Sequence, residues 1–383
     1  MKKVFSILTS IFVLCGSAVF ADDAFVKCYR GGAGTVRQHT YKAKIASPDG
    51  KDIKYELSES TDISMDSEHV AITLYDDYYT IDAKFYLTNN GDEQTVEIGF
   101  PENINTGHGT FPLSSFETFV DGRKTKAQRF NSIDSGFYDS FWYVKKVHFA
   151  KEQTVETRVK YKCDYGGTSW NLYFGYSEFL TYVYGTGKSW KGAIGKITVD
   201  VTNKTFRKHI MEIEFLGESV GNERSYISNP DIDYFKPLKE DAFSFKWISP
   251  DTFRLEAENV EPQDENESIS LLFQNFCTTE ESEGWNSSSS TPKRTLIEAR
   301  KDFTKLYIQG DLCFMTEKQL RFARNDFYAS HGRKFNDKEL RDFYEKIYGY
   351  EINQNYIDSL LSNEDKKIIE KIVTIENERK SSY

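Results

Sequence analysis

The amino-acid sequence predicts an α+β, multidomain protein: an N-terminal antiparallel β-sandwich region, a linker, and a small all-α C-terminal module. Three observations carry that prediction. From Asp22 to Cys277 apolar residues recur with period two, the spacing of strands with one buried face. Between Thr278 and Thr295 the chain reads TTEESEGWNSSSSTPKRT, a Ser/Glu-rich stretch with too little apolar surface to fold. From Leu296 onward the period becomes helical, and the helix ends carry their own capping residues.

Met1–Ala21 stands apart from the fold. Lys2 and Lys3 precede an apolar run, Val4–Val13, and Val19-Phe20-Ala21 supplies small residues at a cleavage point, so the segment reads as a signal peptide. The run is too short to span a bilayer, and no later stretch reaches that length, so an exported, soluble chain is expected, periplasmic or extracellular. Cys15 follows Leu14, where lipid attachment wants a small residue, which counts against a lipoprotein. Loss of Lys2 and Lys3 takes the net charge from −10 to −12. With no basic block, neither a nucleic acid nor an anionic membrane surface is an expected partner.

In the β region Tyr79, Ile81, Ala83, Phe85 and Leu87 alternate with polar residues, and after the turn Asn89-Asn90-Gly91-Asp92 the alternation resumes at Val96, Ile98 and Phe100. The spacing predicts a hairpin, ended by Pro101 because proline cannot donate to a ladder. The same pattern recurs at Val155, Thr157, Val159 and Tyr161, at Ile197, Val199 and Val201, at Phe243, Phe245 and Trp247, and at Ile269, Leu271 and Phe273. One sandwich, or two in tandem with a joint near Gly166–Lys191, would accommodate these strands.

Beyond the linker, Leu296, Ala299, Phe303 and Leu306 keep helical spacing. Thr316 and Gln319 form a capping box, with Met315 placed to staple onto Leu320. Leu320, Ala323 and Phe327 then mark one face, and Gly332 is suited to end the helix in the left-handed conformation. The device repeats with Asn336 as cap, Glu339 three residues on, and Phe335 facing Leu340; Leu340, Phe343, Tyr344 and Ile347 supply a second stripe. A last helix is expected from Ser362 through Ile368, Ile369, Ile372 and Val373.

The run LRFARNDFYASHG at Leu320–Gly332, followed by Arg333 and Phe335, resembles the YARHG domain, a small module of extracellular bacterial proteins. The signature Tyr-Ala-Arg-His-Gly stands here as Tyr328, Ala329, Ser330, His331 and Gly332, with serine in place of arginine. The resemblance covers roughly Ile308–Ile375 and implies an address and a fold; the family brings no established catalytic activity. MDSEHVAITL, IDAKFYLTNNGDEQTVEIGFP and YGTGKSWKGAIGKITVDV, between Met65 and Val201, resemble a secreted bacterial β-rich domain of unknown function.

Four cysteines follow the leader, Cys28, Cys163, Cys277 and Cys313, and allow three disulfide connectivities. Cys28 with Cys163 and Cys277 with Cys313 is the pairing preferred, four buried thiols the alternative. None of the six histidines has the spacing of a helical zinc pair and no C-x-x-C occurs, so no metal and no cofactor is expected. No G-x-S-x-G elbow marks a nucleophile, Gly31–Gly34 lacks the ending of a phosphate loop, and His148 reads as a cross-strand neighbour.

Aromatic residues are the compositional outlier. Trp170, Tyr173, Tyr176 and Tyr184 concentrate near Gly166–Lys191 and suit stacking against a sugar or a partner protein; core filling is the other reading. On the helical module Arg321, Arg324, Asp326, Tyr328, His331 and Arg333 form the densest polar set. Arg324 and Arg333 suit a carboxylate or phosphate, unless Arg324 pairs with Asp337 or Asp342 to tie two helices. His331 is placed to meet the C-terminus of its helix. The expected function is a non-catalytic envelope protein binding a glycan, a peptidoglycan component or an envelope protein. The alternative is a cell-wall hydrolase using a carboxylate pair of the β region, although 59 Asp and Glu make any pair easy to find.

Overall fold

A computed structural model describes residues 33–42, 51–57, 62–104, 112–132, 139–172, 175–216, 225–226, 243–263, 267–275, 296–307, 314–347, 350–381 and 383. The leader, the linker, Cys28, Cys277, Cys313 and Tyr173 fall outside these residues.

The strands run β1 (Gly34–Lys42), β2 (Lys51–Leu57), β3 (Ile63–Leu74), β4 (Tyr78–Asn89), β5 (Gln94–Ile104) and β6 (Ser115–Val120). Next come β7 (Arg123–Thr125), β8 (Gln128–Ser132), β9 (Asp139–Phe149), β10 (Thr154–Asp164), β11 (Gly166–Leu172) and β12 (Gly175–Val183). The last six are β13 (Ile194–Asn203), β14 (Lys208–Leu216), β15 (Ser225–Tyr226), β16 (Ser244–Ser249), β17 (Thr252–Val260) and β18 (Ser268–Asn275). Strands β1, β2, β8, β9 and β5 close into a barrel; an eight-stranded sheet runs β16-β17-β13-β3-β4-β10-β6-β7, and a five-stranded one β11-β12-β18-β14-β15. Pairing is antiparallel except between β3 and β13 and between β2 and β8.

The eight-stranded sheet is the spine, and its inner face is the predicted alternation. Ile81, Phe85 and Leu87 of β4, Val155 and Val159 of β10, and Ile197, Val199 and Val201 of β13 are buried. They share one core with Ile98 and Phe100 of the barrel and with Leu271 and Phe273 of the five-stranded sheet, so both smaller sheets pack on that face. The outer face carries ion pairs, with Arg158 donating to Asp82 at 2.6 Å and Arg254 to Asp200 at 2.5 Å. His148 lies across from Thr95, its Nδ1 3.2 Å from the threonine Oγ1.

Two sequence expectations fail in this half. β4 and β5 do not pair; β4 lies between β3 and β10 while β5 pairs with β9 and β1, so the Asn89–Asp92 turn is a corner between sheets. Asn89 builds that corner: its Nδ2 donates to the carbonyls of Asp92 (2.8 Å) and Ala150 (3.1 Å), and its Oδ1 accepts from Gly91 N (3.1 Å) and Gln94 Nε2 (2.8 Å). The β9–β10 connection crosses at the same point, Glu152 N donating to the Asn89 carbonyl at 3.0 Å. Alternation survives a corner as it survives a hairpin, so the period cannot tell them apart. Nor does Pro101 end β5, which continues to Ile104; β1 pairs with β5 only at Ile98 and Gly99, so at Pro101 a second ladder bond is not required.

The helices are α1 (Leu296–Tyr307), α2 (Glu317–Ala329), α3 (Lys338–Tyr344) and α4 (Asn363–Lys380). α2 opens on the predicted capping box, Gln319 N donating to Thr316 Oγ1 at 3.2 Å and Thr316 N to Gln319 Oε1 at 2.9 Å. Ser362 caps α4, accepting from Asp365 N at 3.0 Å. α3 is capped by Asp337 and not by Asn336, because the Asp337 carboxylate accepts from Leu340 N at 3.0 Å. That bond, with Arg321 at 2.7 Å, holds the Asp337 carboxyl below its ordinary range. Among the described side chains of α1, Ile297, Arg300, Phe303 and Thr304 are buried; Phe303 belongs to the predicted stripe, and Arg300 has a buried partner in Asp326.

The helices sit against the β region. Phe314 belongs to the β core, 5.6 Å from Phe245 between ring centroids, and Glu317 N donates to the Pro250 carbonyl at 3.0 Å. Gln319 Nε2 donates to the Lys208 carbonyl at 2.8 Å, and the Arg379 guanidinium lies 4.2 Å over Trp247. Among the described residues no helix is long and apolar enough to cross a membrane.

Candidate binding site

The site is built on the turn that ends α2, where each residue of the sequence motif has a separate task. Tyr328 presents its ring to the Arg333 guanidinium at 4.6 Å. Ala329 is buried in the core that also holds Ile297 of α1, where a larger side chain would push the helices apart. Ser330 donates to the Phe327 carbonyl at 2.8 Å and accepts from Lys301 Nζ, a cation of α1, at 3.0 Å. His331 does not use its ring on the carbonyls of α2; Nε2 lies 3.6 Å from Asp365 Oδ2, in the first turn of α4. Burial would raise the Asp365 carboxyl, but the charges of Lys301 and Lys305 outweigh it and hold it below its ordinary range.

Gly332 takes φ +79°, as its place after the helix predicts. A second demand falls on the same residue: the 350–361 segment comes so close that a Cβ on Gly332 would stand 2.6 Å from the Glu351 carbonyl oxygen. The Gly332 carbonyl accepts from Asn353 N at 2.9 Å, fastening that segment to the turn.

Two cavities open on either side of this contact. One, of about 410 Å³, is lined by Ser330, His331, Glu298, Glu351, Asn353 and Leu360. The other, of about 400 Å³, is lined by Arg333, Lys334, Tyr356, Ile357, Asp358 and again Asn353. Both are of the size that holds small ligands, about 300–1,000 Å³. Around them stand three of the four large apolar side chains left exposed among the described residues, Ile352 (37%), Ile357 (59%) and Leu360 (43%).

Of the residues singled out from the sequence, Tyr328, His331 and Arg333 meet here. Asp326 does not: it is buried, accepting from Arg300 Nε at 2.9 Å and from the Tyr344 hydroxyl at 2.8 Å. Arg324 pairs with Glu376 of α4 at 3.2 Å instead of Asp337 or Asp342; Arg321, one turn earlier, takes Asp337 and Glu339. In the β region Tyr184 is core, 5.6 Å edge-on to Phe243, its hydroxyl pushed well above its ordinary value by burial and Glu267. Trp170 lies on β11 where the register with β12 slips, and Tyr176 on β12 opposite Asn171. Cys163 is buried, its Sγ 3.2 Å from the Asp164 carbonyl. Among the described residues no cluster of three or more His, Cys, Asp or Glu is placed to hold a metal ion.

Sequence reasoning missed Glu351, Asn353, Tyr356 and Ile357. Their one signal is the apolar pair Ile357 and Leu360 in a stretch, NQNYIDSLL, that follows no helical or strand period.

A YARHG domain model matches residues 300–377, so the motif, its turn and the segment fastened to Gly332 all lie within a YARHG domain. A structure from Legionella pneumophila, provisionally described as a nutrient binding protein, aligns at 22% identity and TM-score 0.44, covering 83% of this chain and 95% of that one. An M1 zinc metallopeptidase from Deinococcus radiodurans aligns at 8% identity and TM-score 0.28 over 56% of this chain and 43% of that enzyme, so the chain spans less than half the enzyme's length. No curated protein matches the chain.

Proposed function

We propose that the chain is an exported, non-catalytic binding protein of the cell envelope, in which the β region (22–277) carries a YARHG module (296–383) that holds the ligand at the Gly332 turn. The observation that supports it most is the grouping of Ile352, Ile357 and Leu360, all exposed, around two cavities walled by the motif residues. Exposed apolar side chains gathered at a concave, polar-rimmed surface mark interaction sites. Tyr328 and Tyr356 with Arg333 between them add flat faces suited to a sugar ring or a peptide. The expected ligand is a peptidoglycan component, a glycan or an envelope protein.

Co-sedimentation of the mature protein with isolated sacculi and with outer-membrane vesicles tests this reading. Retention by either, reduced in an Ile357→Ser/Leu360→Ser variant, is the expected result. Protein that stays in the supernatant with both contradicts it, and clearing of purified wall in a zymogram would favour the hydrolase alternative.

A further inference from the structure

The two cavities differ in charge. Glu351 lines the first, whose described lining residues include no lysine or arginine. Arg333 and Lys334 line the second, with one carboxylate, Asp358, which accepts from the Tyr356 hydroxyl at 2.9 Å. Among the described residues the Arg333 guanidinium meets the faces of Tyr328 and Tyr356 and no carboxylate, and Glu351 has no cationic partner. A planar guanidinium laid on aromatic rings keeps its outer N–H fork available for a carboxylate. Asn353 borders both cavities, and its backbone is fastened to Gly332, which lines the first.

From this arrangement we infer that the site binds a zwitterionic short peptide, its ammonium beside Glu351 in the first cavity and its carboxylate on Arg333 and Lys334. The peptide backbone crosses over Asn353, and Leu360 and Ile357 take its apolar side chains on either side. A neutral glycan would leave Glu351 and Arg333 without counter-charges, and a polyanion would be repelled from the first cavity. The inference rests on the Gly332 turn being the ligand site, as proposed above, and adds the class of ligand.

The test uses the full mature chain and alanine peptides of about two to five residues with free ends, N-acetylated, or C-amidated, followed by titration calorimetry. A free-ended peptide binds, and each cap weakens binding by about tenfold or more, the scale of one lost charge-assisted contact. Glu351→Gln removes the penalty of acetylation and leaves that of amidation; Arg333→Gln does the reverse. Melting curves confirm that each variant folds, and Lys334→Gln replaces Arg333→Gln if the latter does not. Equal binding of free and capped peptides, or no binding of any, overturns the inference. Sacculus co-sedimentation in parallel separates the two failures: retention without charge discrimination sinks only the ligand class, whereas charge-dependent peptide binding without retention sinks only the envelope role.

Discussion

Gly332 and Asn353 are in backbone contact, the asparagine N–H donating to the glycine carbonyl at 2.9 Å, and a Cβ on Gly332 would lie 2.7 Å from that same nitrogen. One residue therefore ends α2, anchors the segment after α3 and lines the first cavity. Its substitution tests fold and site together.

Gly332→Ala combines a left-handed backbone unfavourable to an L residue with a collision against backbone atoms that cannot swing aside. The expected cost is about 2–4 kcal/mol in urea unfolding, with ligand retention lost in parallel. A change below about 0.5 kcal/mol would show that the 350–361 segment is not fastened where described.

Asp326 illustrates what the sequence could and could not disclose. Its helix was readable from Thr316, Gln319 and Gly332, because capping and termination use neighbours in sequence. Its role was not, because Arg300 and Tyr344 come from other helices and turn a polar residue on a predicted surface into a buried pair. The β4–β5 corner escaped for a similar reason: Asn89 acts through Ala150 and Gln153, which only the fold brings near. Glu351 and Asn353 acquire meaning only when the fold brings their backbone against Gly332.

Arg300→Met leaves the Asp326 carboxylate buried without its cation, and a loss of about 3–5 kcal/mol is expected. The double variant Arg300→Met/Asp326→Leu should recover most of that loss, since an apolar pair of similar volume carries no desolvation cost. Equal destabilisation of the single and double variants in urea titration would argue that packing, not charge, holds α1 on α2.

Glu68 faces the interior of the eight-stranded sheet, accepting from the Tyr182 hydroxyl with one oxygen while the other has no hydrogen-bond partner among the described residues. Burial raises its carboxyl from the ordinary 4.5 to about 8, against the pull of Tyr182. Below the lower value both folded and unfolded chains hold the proton. Between the two only the unfolded chain releases it, so stability falls by about 1.4 kcal/mol per pH unit, and above the higher value the dependence ends. Glu68→Gln should flatten the decline in unfolding free energy between pH 5 and pH 8; an unchanged slope would contradict the assignment.

Lys145 has the opposite sign. Its ammonium, donating to Thr118 Oγ1 at 2.5 Å and to the Phe119 carbonyl at 3.1 Å, is depressed by burial from 10.5 to about 7. Above the folded value the native chain sheds the proton while the unfolded chain keeps it, so stability rises with pH up to the unfolded value. In Lys145→Met that rise, about 1.4 kcal/mol per pH unit, should vanish from urea midpoints measured at alkaline pH. Persistence of the rise would mean that the amine is solvated.

Hydrogen–deuterium exchange of the mature protein, with and without solubilised peptidoglycan fragments, bears most directly on the site at Gly332. Slowed exchange confined to the backbone around Tyr328–Arg333 and the 350–361 segment is the expected result. Protection centred on the β sheets, or none anywhere at fragment concentrations that saturate sacculus binding, would contradict it.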